Sequence, residues 1–123
     1  MKWWSLAAGG LAGTFARYGL SHLLRQRFGD AFPMGTLVVN LSGCLLIGFF
    51  AALAEQKSIL GPNARMLLMV GFCGAYTTFS TFIFESAMLA RNGHALTACA
   101  NVLVSVGLGF ACFQLGATLG GLI

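Results

Sequence analysis

Four runs of apolar and small residues, at approximately 3–24, 34–54, 66–90 and 95–122, divide this chain almost completely between them. Each is long enough to cross the hydrocarbon of a bilayer, which takes roughly 20 residues of helix. The expected fold class follows: an all-α integral membrane protein of four transmembrane helices. The connections, at approximately 25–33, 55–65 and 91–94, hold most of the charges and both prolines, Pro33 and Pro62, as water-exposed turns do. Residues 1–123 are expected to form a single transmembrane domain with no soluble one.

Only seven basic and three acidic residues occur among 123, against about one charged residue in four for a globular domain. A soluble body of this size exposes too much surface to hide so much Leu, Phe, Ala and Gly. The N-terminal run is read as a retained span and not a cleaved signal, because it carries Arg17 and three more runs follow. Cys44, Cys73, Cys99 and Cys112 all fall inside apolar runs without a C-x-x-C pair, so they read as small core residues. The basic residues are scattered and suit headgroup contact, not nucleic acid.

Sorting the cations between the two membrane faces puts Lys2, Lys57 and Arg65 on one side and Arg25, Arg27 and Arg91 on the other. Lys/Arg imbalance decides how a membrane protein inserts, and here there is none. Both orientations are expected, and the natural partner of such a chain is an inverted copy of itself, in an antiparallel homodimer. Gly9 with Gly13, and Gly116 with Gly120, form G-x-x-x-G pairs, and Gly43 and Gly48 lie on nearby faces; all read as close helix packing.

Polar residues at bilayer depth need a partner or a purpose. In the first span Arg17 either snorkels to the interface or lines a wet vestibule that gathers anions. Asn40, near the middle of the second, either bonds a neighbouring helix or offers its amide to an anion. The third span runs Gly71-Phe-Cys-Gly74-Ala-Tyr-Thr77-Thr78-Phe79-Ser80-Thr81-Phe82 and then reaches Glu85. Gly71 and Gly74 weaken the helix near the bilayer centre, and a break there frees carbonyls that protein, water or a cation must satisfy. A kink filled by threonine hydroxyls is the simpler alternative. Phe79 and Phe82 share a helix face beside Ser80 and Thr81, as packing or as a wall of positive ring edges able to stabilise a bare anion. In the fourth span Thr97, Asn101 and Ser105 recur at i, i+4 and are continued by Gly109, a polar stripe that lines a pathway or bonds a facing helix. His22 and His94 fall at span ends and read as interfacial. With no nucleophile triad, carboxylate pair or phosphate loop, the chain reads as a non-enzyme.

Taken together, Gly9-Gly10-x-x-Gly13-x-x-x-Arg17-Tyr18, Gly35-Thr36-Leu-x-x-Asn40-x-x-Gly43, the Gly71–Phe82 segment and Asn101-Val102-x-x-Ser105 resemble the bacterial fluoride channels of the Fluc (CrcB) family, across all four spans in order. The resemblance implies a multi-pass protein of the bacterial inner membrane. It implies a dual-topology antiparallel dimer, with two pores passing fluoride down its gradient, that relieves fluoride toxicity. By position, Phe79 and Phe82 would be pore phenylalanines, Asn40 a donor beside them, Ser80, Thr81 and Ser105 hydroxyls along the track, and Arg17 a vestibule residue. Gly74 and Thr77 would lend backbone carbonyls to a structural sodium ion at the dimer interface. The family's fourth span often carries a tyrosine near the serine, and this sequence has none there.

Two other classes compete. A small multidrug exporter has similar length, four spans and dual topology, but exchanges protons at a membrane-embedded acid; here the first span has Arg17 and no acid, and Glu85 is the only acidic residue inside any span. A non-transporting scaffold subunit would use the polar residues for helix packing alone.

Overall fold

The computed structural model describes residues 2–123, and every regular element among them is helical. The first helix, Lys2–Phe28, outruns its apolar stretch by a turn. Arg25 and Arg27 continue it, because cations suit the negative end of the helix dipole. Gly29 then stops it in the left-handed region at φ 78°, its N–H donating to Arg25 O at 2.8 Å.

The second helix runs Met34–Ala51 and opens into a π-helical turn at Ala52–Gln56. Arg65 ties down the connection that follows: its guanidinium donates to Ala54 O at 2.8 Å, Leu60 O at 3.3 Å and Glu55 Oε1 at 3.0 Å. Pro62 opens the third helix at its first position, where a missing N–H costs nothing. That helix is π-helical over Met66–Cys73, regular over Gly74–Tyr76, interrupted at Thr77 and Thr78, and resumes as Phe79–Arg91. Ala95–Gly121 is the fourth.

Three of these, Met34–Gln56, Pro62–Arg91 and Ala95–Gly121, are long and apolar enough to cross a membrane. The first helix matches them in length at 27 residues. Its Gly, Ser, Thr, Arg17 and His22 dilute its apolar character, so it does not stand with the three on composition.

The first helix lies along the π-helical part of the third, and the second lies along the fourth. Glycine makes both contacts. A Cβ on Gly9 would strike Leu67 O, and one on Gly13 would strike Phe72 O. On the other seam Gly48 faces Phe113 O while Gly116 faces Leu45 O, each helix lending the other a flat site. With lipid outside, this packing rather than water exclusion holds the helices together. Gly116→Val is therefore expected to lower stability by about 1–3 kcal/mol or more, the cost of overpacking against backbone that has no rotamer to yield. Thermal unfolding of the purified protein measures it.

Of the two glycines expected to weaken this helix, Gly71 and Gly74, the first is buried against Leu6 O and Gly10 N of the first helix, and the wider π hydrogen bonding carries the chain through. The interruption comes six residues later, after Tyr76, where side chains from other parts of the protein take the backbone's partners.

A candidate ion pathway at the break in the third helix

Thr77 (φ −88°, ψ 158°) and Thr78 (φ −148°, ψ 122°) are extended, so the helical ladder cannot close across them. Their backbone groups can be accounted for one by one. Cys73 O accepts from Thr77 N at 3.1 Å and from Thr77 Oγ1 at 2.9 Å. Ala75 O accepts from Arg17 Nε at 3.0 Å. Thr78 is gripped on both sides by Asn40: its N–H donates to Asn40 Oδ1 at 2.8 Å, and Asn40 Nδ2 donates to Thr78 O at 3.0 Å. Thr78 Oγ1 accepts the Thr81 N–H at 3.3 Å and caps the downstream half-helix.

Two helices thus hold the break from outside it. The second adds a further tie, since Ser42 spends its single proton on Val39 O at 3.0 Å and must accept from the Tyr76 hydroxyl at 2.8 Å. After these bonds are counted, among the described residues no hydrogen bond ends on Gly74 O, Tyr76 O or Thr77 O. Gly74 is exposed, with open space where a side chain would be. The upstream half-helix therefore ends in bare oxygens, and the downstream one begins with N–H groups at the positive end of its dipole. Carbonyl oxygens are the donor type that a hard cation takes, so the Gly74 and Thr77 oxygens are chemically suited to the sodium expected of them, and Tyr76 O is of the same type.

Beside the break runs a groove of about 310 Å³. Asn40, Thr77, Phe79, Phe82 and Ser105 line it, together with Cys44. It continues through Cys44 and Ser105 into a more apolar stretch that ends at Phe113. The rings of Phe79 and Phe82 have centroids 6.0 Å apart and are tilted 54° to one another. Phe82 is 7% exposed and Phe79 74%, so one is wall and the other stands clear of its own chain. Ser80 is exposed and Thr81 half-buried, and neither is among the residues lining the groove. Arg17 sits against the break, and among the described residues no carboxylate lies within salt-bridge distance of it.

Ser105 is reached by a relay the sequence did not display. Asn101, 1% exposed, donates to Ser86 Oγ at 2.9 Å and accepts from Ser105 Oγ at 3.4 Å. The i, i+4 stripe pointed to Asn101 and Ser105, but Ser86 had no signal of its own. Glu85 lies apart, in a cavity of about 210 Å³ with Arg25, Asp30 and Thr36, and its Oε1 is buried without a partner among the described residues. Asp30 is the residue that holds Arg25 there, at 3.4 Å.

The family model for CrcB-like protein, Camphor Resistance (CrcB), matches residues 4–117, a stretch that contains every residue of the groove and the break. The chain belongs to the CrcB family. Among its relatives, the fluoride-specific ion channel FluC of Maridesulfovibrio salexigens is 43% identical over 99% of this chain and 97% of its own length. The protein of the same name from Solidesulfovibrio magneticus is 46% identical over 96% of this chain and 94% of its own. That from Trichormus variabilis is 44% identical over 94% and 85%. CrcB membership therefore spans the first helix as well as the three more apolar ones.

Proposed function

We propose that this chain is a subunit of a fluoride-selective channel that lets cytoplasmic fluoride leave passively, and that it is not an enzyme. What carries the reading is that relatives named fluoride-specific ion channels match at 41–46% identity over nearly the whole chain, groove and break included. The chemistry agrees. Hydrogen fluoride crosses lipid as a neutral acid and dissociates inside, so an anion-selective exit suffices. An inside-negative potential contributes about 2.3 kcal/mol per 100 mV, enough to hold internal fluoride roughly 50-fold lower at equilibrium.

Phe79 and Phe82 supply the pore wall, Asn40 the amide N–H left over from its grip on Thr78, and Ser105 the hydroxyl on the groove, while Ser80 and Thr81 stand outside the groove of this copy. These groups offer ring edges and polar hydrogens without a fixed cation, which lets a small, strongly hydrated anion exchange water for donors and still leave. Arg17 raises the local anion concentration near the break.

The first helix is the fourth span. Trp3 and Trp4 at one end and Arg25 and Arg27 at the other are about 22 residues apart, close to 33 Å of helix, and residues of these kinds settle at the two interfaces. Lipid cannot satisfy the carbonyls of Gly74, Tyr76 and Thr77, so a second copy covers them. The even division of cations makes that copy an inverted one, and the groove then occurs twice per antiparallel homodimer, as two pores. A structural sodium ion bound by the Gly74 and Thr77 carbonyls neutralises the oxygens that meet at the interface. The assembly belongs to the bacterial inner membrane, where the potential drives fluoride outward. Proton-coupled drug export has no acid in the first span to run on.

Anion efflux from liposomes that hold the purified protein tests the reading, followed with fluoride and chloride electrodes. Rapid fluoride loss with chloride retained is expected; folded protein that releases neither ion overturns it.

A further inference from the structure

The two carbonyls assigned to sodium are bare for identifiable reasons, and the reasons are side chains. In an unbroken helix Gly74 O would accept from the Thr78 N–H and Thr77 O from the Thr81 N–H, four residues on in each case. Asn40 Oδ1 takes the first of these donors at 2.8 Å, and Thr78 Oγ1 takes the second at 3.3 Å. Each freed oxygen thus answers to one diverted N–H. Asn40 also holds Thr78 O, which fixes the extended peptide from both edges and keeps the chain from sliding back into register.

We infer that Asn40 and Thr78 are positioning residues of the cation site: they touch no cation themselves, but by capturing two backbone N–H groups they keep the Gly74 and Thr77 carbonyls available to it. The inference rests on the proposed structural sodium. It differs from a general role in stability, because without the Thr78 hydroxyl the Thr81 N–H has no acceptor until Thr78 turns helical against the hold of Asn40 and brings Thr77 O to it. That exchange closes one hydrogen bond and removes one ligand, so the protein becomes less responsive to sodium without becoming correspondingly less stable in its absence.

The test is thermal unfolding of the purified dimer in detergent, titrated with sodium chloride against choline chloride at constant ionic strength. Sodium is expected to raise the midpoint of the wild-type protein. In Thr78→Val the sodium concentration needed for half of that rise should increase roughly tenfold, about what one competing hydrogen bond is worth. Thr78→Ser, which keeps the capturing oxygen, should behave as wild type. A Thr78→Val protein with the wild-type sodium response overturns the inference and leaves the sodium reading standing; a wild-type protein indifferent to sodium overturns both. Should Thr78→Val give no folded dimer, Thr78→Ala removes the same oxygen without adding a methyl group to the groove, and the same two outcomes apply.

Discussion

Phe82→Ile should reduce fluoride efflux by up to about tenfold while the protein still purifies as the proposed dimer. Phe82 is almost wholly buried against its own chain and yet borders the groove, so an aliphatic side chain of similar bulk fills most of the packing. What isoleucine lacks is the ring edge. An anion passing without a cation to balance it depends on weak positive poles of this kind, and a favourable ring contact is worth about 0.5–1.5 kcal/mol, or close to a factor of ten at the upper end. Liposome efflux measures the flux, and size-exclusion chromatography the dimer. Undiminished flux from an intact dimer would reduce Phe82 to a core residue.

Asn40→Leu should have the larger structural effect. Leucine is nearly the same size, but it leaves both the N–H and the C=O of Thr78 without partners in the interior of a membrane protein. Each orphaned group costs about 1–3 kcal/mol, so a loss of about 2–6 kcal/mol is expected, enough to remove most folded protein from a preparation. Asn40→Asp keeps an acceptor for the Thr78 N–H and should lose roughly half as much. Thermal unfolding of the two variants side by side decides the matter: equal midpoints would mean that Asn40 is not the clamp the geometry makes it.

The contrast between these residues explains what was legible in the sequence. Phe79 and Phe82 sit three apart on one helix, so their common face follows from local periodicity. The G-x-x-x-G pairs were legible for the same reason, and all four glycines lie buried at helix seams. The break was legible as a tendency but not as a position. Gly71 and Gly74 carry the familiar mark of a weak helix, whereas the interruption depends on Asn40 meeting Thr78 across 38 residues of chain, and on Arg17 reaching Ala75 across 58. No window of sequence contains those pairs. The π-helical run at Met66–Cys73 was hidden too, since it follows from the first helix pressing Gly9 and Gly13 against its backbone.

The clamp at Thr78 also bears on how such a chain comes to be assembled. The break stands open in a single copy, held by that copy's own Asn40, so a chain newly inserted in the bilayer carries three bare carbonyls that lipid cannot satisfy. On the dimer proposed here, the inverted partner relieves that cost, so the oxygens that would frame the shared site are also what make the unpaired copy costly to keep in lipid. Pairing then needs no rearrangement of the third helix, only an encounter.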